Sequence, residues 1–380
     1  MTAARFEFAT AGRIMAGAGR AEELPGVLAG LGSRVLVCTG ANPDRHAGLL
    51  ADLGLPAAVF AVSGEPTVEV ARAGVAAARE HGADVVVAIG GGSVIDTGKA
   101  VAMLLGNGGD PLDYLEVIGS GRAITEPAAP CVAVPTTAGT GAEVTANAVL
   151  GAPAHGLKAS LRSPLMIPRV ALVDPQLTAS CPPPVTAASG LDALTQCLEP
   201  FVSVRATPLT DALAREGLCR AAAGLRAAYA DGADLAARED MALCALLGGM
   251  ALANAKLGAV HGLAGVVGGT ADVPHGIACA ALLAPVIEAN VRALRGSPVL
   301  ARYAEVARVL TGEPGASIED GLAWIRQTLA LLAVPGLAAF GLGPGHADDV
   351  AAKAAVSSSM QGNPVSLSHD DLKAVFLRAL

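Results

Sequence analysis

The chain has 380 residues, 52% of them apolar and 16% charged, and carries a formal charge of −8. That length supports two domains with real cores, and the composition excludes a disordered chain. The acidic balance, with no basic stripe against it, excludes nucleic acid as a partner.

The N-terminus, "MTAARFEFATAGRIMAGAG", lacks the unbroken apolar core of a signal peptide, and no uncharged apolar run reaches membrane-spanning length. The seven cysteines (Cys38, Cys131, Cys181, Cys197, Cys219, Cys244, Cys279) are scattered without a CxxC pair. They read as buried small hydrophobes in a reducing compartment rather than as a disulfide or zinc framework. A soluble, cytoplasmic protein with no membrane partner is expected.

Along the first half, short β-rich runs alternate with alanine-rich helical stretches. Strands are predicted over 34–39 ("RVLVCT"), 57–62, 84–89 ("DVVVAI"), 131–135 and 169–174, with helices over 67–82 and 96–105. Continuous apolar strands between helices indicate a parallel sheet covered on both faces.

The strand at 84–89 runs into "GGGSVIDTGKA", where Gly90, Gly91, Gly92 and Ser93 open a helix. Glycines there let the backbone approach a phosphate, and the helix start offers free N–H groups and a positive dipole end. This is neither a Rossmann GxGxxG nor a Walker A loop, and Lys99 follows the glycines too late for the Walker role. A second polar loop, "PTTAGTGAEVT" (135–145), follows the next buried strand. Its Thr136, Thr137 and Thr140 hydroxyls suit a second wall of a dinucleotide site.

Three prolines at 182–184 end any regular element before them. Beyond them the periodicity is helical only, over 186–204, 208–231, 235–258, 276–294, 298–311, 317–332 and 346–356. Two domains are predicted: an α/β dinucleotide-binding domain over 1–180 and an all-helical domain over 181–380. Within "GLDALTQCLEP", Asp192 and Gln196 share a helix face at i and i+4, with Glu199 one turn further on. That is the layout of a metal helix, or of a helix cap, with an amide where histidine is usual. His46, His81, His155, His346 and His369 sit in polar contexts and read as surface residues. His261 and His275 lie in the glycine-rich "GAVHGLAGVVGGTADVPHGIACA"; each alone reads as a core residue, but with an acid on a third element they make a metal cage.

These motifs, in this order and spacing, resemble the iron-containing (group III) alcohol dehydrogenase family, with some likeness to maleylacetate reductases. The resemblance covers essentially the whole chain through "GGGSVIDTGKA", "PTTAGTGAEVT", "VALVDPQLT", "GLDALTQCLE" and "VHGLAGVVGGTADVPHG". It implies a Rossmann-like α/β domain and a helical domain, the two-domain architecture shared with dehydroquinate synthase, with a catalytic divalent metal in the cleft between them. The reaction implied is reversible hydride transfer between NAD(P)H and a carbonyl compound.

Carried over, the metal ligands fall on Asp192, Gln196, His261 and His275, for Fe2+ or Zn2+. Gln196 replaces an expected histidine, and a further family histidine would fall on Gly265. The metal site reads as retained but weakened. The expected cofactor-binding set is Gly40, Asn42, Arg45, Gly90, Gly91, Gly92, Ser93, Asp96, Thr136, Thr137, Thr140, Thr145 and Lys158. Members preferring NAD usually carry an aspartate where this chain has Gly40. Its absence removes a repulsion against a 2′-phosphate, which Asn42 and Arg45 could contact, so NADPH is slightly favoured over NADH.

A small alcohol, aldehyde or keto substrate and a homodimer are expected, with Asn147 and Phe201 as candidate pocket residues and room at Gly262 and Gly265. Asn363 and Pro364, ahead of the last helix, read as structural. The alternatives are a metal-independent reductase of the maleylacetate type, a lyase or synthase on the same architecture, and a non-catalytic nucleotide-binding relative. The catalytic acid–base group is unassigned.

Overall fold

The computed structural model describes residues 5–155 and 157–380. The chain forms two compact units. One comprises residues 9–137 and 141–179; the other comprises residues 180–380 together with 5–8 and 138–140.

The first unit holds eight strands: β1 (Arg13–Ala16), β2 (Val35–Gly40), β3 (Ala57–Val62), β4 (Val85–Gly90), β5 (Cys131–Pro135), β6 (Asn147–Ala152), β7 (Leu157–Arg162) and β8 (Val170–Val173). Its helices are α1 (Leu24–Leu28), α2 (Ala47–Ala51), α3 (Val68–His81), α4 (Gly92–Asn107) and α5 (Pro111–Tyr114). Six strands make one sheet in the order β1-β8-β5-β4-β2-β3, and β6 and β7 form a separate antiparallel pair. All pairings in the large sheet are parallel.

Successive strand residues point to opposite faces, and both faces are covered. Leu36, Cys38, Val86, Ala88 and Ala133 pack in one cluster with Ala71, Val75 and Val101 from α3 and α4. Val35, Val37, Val87, Val132 and Leu172 pack in another with Leu24, Leu28 and Leu53. This double burial is why the strands read as continuous apolar runs.

The five predicted strands are present. The four-residue β1, held only along β8, and the β6–β7 hairpin were not predicted. The hairpin alternates buried and half-buried residues, a period too short-lived in "NAVLGA" to stand out from a loop. The chain steps from β2 outward to β3, then returns to lay β4, β5 and β8 on the other side of β2. The strand order therefore reverses between β2 and β4, where ligands bind open α/β sheets.

The second unit is helical: α6 (Pro183–Val202), α7 (Pro208–Ala230), α8 (Leu235–Ala255), α9 (Ala259–Ala271), α10 (His275–Ala293), α11 (Leu300–Thr311), α12 (Ile318–Leu331), α13 (Ala347–Ala355) and α14 (His369–Ala379). The proline run opens a helix as well as closing what precedes it. Pro182 is the N-cap of α6 and the next two prolines fill its first turn, where a missing N–H costs nothing. From Gly190 to Val202 every residue of α6 is buried.

Helix α9 was not predicted, because Gly262, Gly265, Gly268 and Gly269 break the usual helical signal. Burial of Val260, Leu263, Ala264 and Val267 supplies the stabilisation that propensity does not. α10 is long and apolar enough to pass as a membrane span, with a mean hydropathy of 1.4, but 61% of that window is buried within the fold, as in a core helix.

The cysteines divide differently from the expectation. Five are buried, whereas Cys181 is half-buried and Cys219 exposed on α7.

Glu143 lies in a short turn (Ala142–Val144) and is 2% exposed. Burial pushes its carboxyl up to about 7, outweighing its backbone hydrogen bond and the Lys99 charge, both of which pull it down. The folded chain thus retains a proton that the unfolded chain releases near 4.5, so stability falls as pH rises between these values. This residue alone contributes a fall of about 3 kcal/mol at about 1.4 kcal/mol per pH unit. Glu143→Gln is expected to flatten that part of the profile in urea unfolding at about pH 5 and about pH 8. A variant with the parent's pH dependence would show that the carboxyl is ionised in the fold.

Candidate active site

Three loops of the first unit leave the C-terminal ends of neighbouring strands β2, β4 and β5. The Thr136 N–H donates to the Gly90 carbonyl at 3.0 Å, carrying the β4–β5 ladder into the loops. A Cβ on Gly91 would lie 3.3 Å from Thr137 Oγ1, so glycine lets the two loops close up. Gly91 is also the N-cap of α4 and supplies no side-chain cap, and no acid occupies the first turn. The first N–H groups of a helix have no intrahelical partner, so Gly92 and Ser93 could hold an anion beside Thr136 and Thr137.

Lys99 is 1% exposed and ties this helix to the next loop. Its Nζ lies 3.0 Å from Asp96 Oδ1 and donates to the Ala142 carbonyl at 2.9 Å and to Thr145 Oγ1 at 3.0 Å. The other Asp96 oxygen accepts the Val149 N–H at 2.9 Å. Asp96 and Thr145 are therefore bound into a clamp that holds the loops in place.

The remaining expected nucleotide residues are spread out. Asn42 Oδ1 accepts the Asp44 N–H at 3.2 Å and caps the turn carrying the exposed Arg45. A Cβ on Gly40 would meet nothing within 4 Å, so an acid would fit there and its absence is not steric. Lys158 sits on the β6–β7 hairpin with Nζ 3.4 Å from Glu65 Oε2, and the half-buried Thr140 belongs to the 138–140 segment grouped with the helical unit.

In the helical unit, α6, α9 and α10 bring four donors together: Asp192, His261, His275 and Cys279, with all ligand atoms within 4.8 Å of one another. His261 Nε2 lies 3.3 Å and His275 Nε2 3.8 Å from Asp192 Oδ1. The Gln196 amide donates to Asp192 Oδ2 at 2.8 Å. Burial pushes the Asp192 carboxyl up, but His275, His261 and Gln196 together hold it at about 2. The Cys279 sulfur and then Asp192 push His275 up to about 9 against its desolvation, although 41% of that side chain is exposed and water screens part of the effect.

Glu199, seven residues after Asp192 on α6, performs two tasks. Its Oε2 accepts from His261 Nδ1 at 2.7 Å, and its Oε1 accepts the Val260 N–H at 2.7 Å at the start of α9. A carboxylate at a helix N-terminus meets unpaired N–H groups and the positive dipole end. The bond from Nδ1 to Glu199 turns Nε2 towards Asp192, and against its desolvation Cys279, Asp192 and Glu199 hold the ring well above the usual imidazole range, so a cation there would take the place of the Nε2 proton. A Cβ on Gly276 would lie 2.2 Å from the Ala188 carbonyl, so glycine permits the contact that brings His275 to α6.

The donor set fits a divalent cation. Among the described residues, Thr10 Oγ1, Asp192 Oδ1, Gln196 Oε1 and His261 Nε2 are the buried side-chain polar atoms without a hydrogen-bond partner. Asp192 Oδ1 and His261 Nε2 belong to the donor group, 3.3 Å apart, and Gln196 is hydrogen-bonded to Asp192. Unpaired buried polar atoms are costly, and their concentration on these residues marks a place for a positive charge.

Comparison with known proteins accords with this geometry. Residues 11–175 match the model of the iron-containing alcohol dehydrogenases, and residues 186–380 match that of the Fe-containing alcohol dehydrogenase family, C-terminal. The chain belongs to the iron-containing alcohol dehydrogenase family. Alcohol dehydrogenase 4 of Saccharomyces cerevisiae (strain YJM789) is 40% identical over 273 residues, covering 72% of this chain and 69% of that one. The crystal structure of a 1,3-propanediol oxidoreductase superimposes with a TM-score of 0.92 at 32% identity, covering 99% of this chain and 100% of that one. Sulfoacetaldehyde reductase from Bifidobacterium kashiwanohense, in complex with NAD+, superimposes with a TM-score of 0.88 at 28% identity, covering 99% of both chains. The chain is thus an oxidoreductase acting on CH–OH groups, in a family that uses NAD(H) and a metal.

Within this iron-containing alcohol dehydrogenase, two expectations about space are corrected. Gly265 is exposed, and a Cβ there would meet nothing, but a Cβ on Gly262 would lie 2.8 Å from the Met360 methyl, which already fills that space. Phe201 is 1% exposed and lies under Arg302 and Arg215, so it is a core residue rather than a pocket wall. Two site residues are not distinguished by the sequence pattern. Glu199 has no assigned role there, and Cys279 reads as a buried hydrophobe; its signal is the i, i+4 spacing from His275 on an apolar helix.

Glu199→Gln keeps the shape but removes the charge that orients His261. It is expected to weaken divalent-metal affinity about 10–100-fold in competition titrations with a chelating dye. An unchanged Kd would show that Glu199 serves only the start of α9.

Proposed function

We propose that this chain is an NAD(P)-dependent alcohol dehydrogenase or aldehyde reductase that interconverts a small alcohol and its carbonyl compound at a metal held by Asp192, His261 and His275. The observation that carries the reading is the group of buried, unpartnered Asp192 Oδ1, His261 Nε2 and Gln196 Oε1 atoms on adjoining helices. When bound, the metal, Fe2+ or Zn2+, supplies Lewis-acid polarisation of the carbonyl oxygen, and the nicotinamide supplies or accepts the hydride.

The chain's own residues do the rest. Asp192 brings the negative charge, and Glu199 fixes the ring angle of His261. The exposed side of His275 leaves an approach for a small substrate. No imidazole stands at Gly265, so proton exchange with the alcohol oxygen falls to solvent on that open side. Gly91, Gly92 and Ser93 take a phosphate through backbone N–H groups, with Thr136 and Thr137 beside them. At position 40 itself no carboxylate opposes a 2′-phosphate, and Arg45 offers a cation, so NADPH is the slightly favoured cofactor.

Gln196 makes the metal dependence testable. Removal of metal with a chelator is expected to abolish aldehyde-dependent NADPH oxidation, and Fe2+ or Zn2+ to restore it. Gln196→His should tighten metal binding, imidazole being the better donor for first-row metals. Full activity in metal-free protein would instead assign the metal-independent reductase reading, which the Gln196–Asp192 hydrogen bond favours. The cofactor reading has its own check: kcat/KM with NADPH should equal or exceed that with NADH. A large advantage for NADH would overturn the role given to Gly40.

A further inference from the structure

We infer that Cys279, rather than Gln196, supplies the fourth metal donor, so that the centre is an Asp/His/His/Cys set. The inference rests on the metal reading above but concerns a residue to which that reading gives no role. His275 and Cys279 stand at i and i+4 on α10 and share one face, with Sγ 3.7 Å from His275 Nε2. The Cys279 sulfur is fully buried and lies within 4.8 Å of the Asp192 and His261 donor atoms.

The distances have the scale of a coordination polyhedron. Tetrahedral bonds of about 2.0–2.3 Å set donor–donor edges at about 3.3–3.8 Å. Three of the six separations, Asp192–His261 at 3.3 Å, Asp192–His275 at 3.8 Å and His275–Cys279 at 3.7 Å, fall on those edges, and the other three are within 4.8 Å. Gln196 is differently placed, with its amide nitrogen turned to the outer oxygen of Asp192.

Donor chemistry agrees with the geometry. A thiolate is a stronger donor to a first-row divalent ion than the neutral carbonyl oxygen of an amide. On binding, the thiol proton leaves to solvent and the sulfur lone pair forms the bond to the metal; nothing is oxidised or reduced. A thiolate also softens the site and shifts preference towards Zn2+ over harder cations.

The test is X-ray absorption spectroscopy of the full chain loaded with stoichiometric zinc. The expected spectrum has one sulfur neighbour at about 2.3 Å beside nitrogen and oxygen. Cys279→Ala, a small change within a core of small residues, should abolish the sulfur shell and weaken zinc by at least about 10–100-fold. Gln196→Ala should leave the shell in place. Zinc bound through nitrogen and oxygen alone, or a sulfur shell that persists in Cys279→Ala, overturns the assignment while the metal reading stands. A chain that binds neither zinc nor Fe2+ overturns both. The parent spectrum needs no variant to fold, so the assignment stays open to refutation.

Discussion

The helical site depends on one buried carboxylate that links two helices. Glu199 lies within a run of buried α6 residues and turns both its oxygens to α9, one to a backbone N–H and one to the His261 ring. The charge is tolerable in the core because it meets unpaired helix donors and the positive end of a dipole. The same bond fixes the angle at which the His261 ring meets Asp192. Ring position and helix docking are therefore one interaction, and Asp192, two turns away on the same face, shares its geometry.

The first unit uses a similar economy with the opposite charge. Lys99 is buried where an isolated ammonium could not persist, and it survives by having a carboxylate, a carbonyl and a hydroxyl around it. Its partners lie on its own helix α4 and on the 142–145 turn. A residue too far from the glycines to touch a phosphate instead fixes the loops around them.

Much of this could be read from the chain. The sheet strands were legible because burial on both faces leaves long apolar runs, and "GGGS" because glycine after a buried strand has few other uses. Asp192, His261 and His275 could be placed together only through the family resemblance, since their spacing alone allows core histidines. Helix α9 was illegible because its stability comes from tertiary burial, which local propensity does not record. Glu199 and Cys279 escaped for a related reason: a buried acid and a buried thiol look like a cap and a hydrophobe until their three-dimensional neighbours are known. Gly262 was misread because Met360, almost a hundred residues later, fills its space.

The contact between Gly276 and the Ala188 carbonyl has a wider consequence. It sets the distance between α6 and α10 through backbone atoms, and exchange of the donor side chains leaves that distance alone. The donors themselves hang from that frame and differ only in what each side chain ends in. Such a scaffold can change its preferred metal, or give one up, through single substitutions at 196 or 279 without altering its helix spacing. The durable element of this site is the gap between helices, and the ligands are its replaceable fittings.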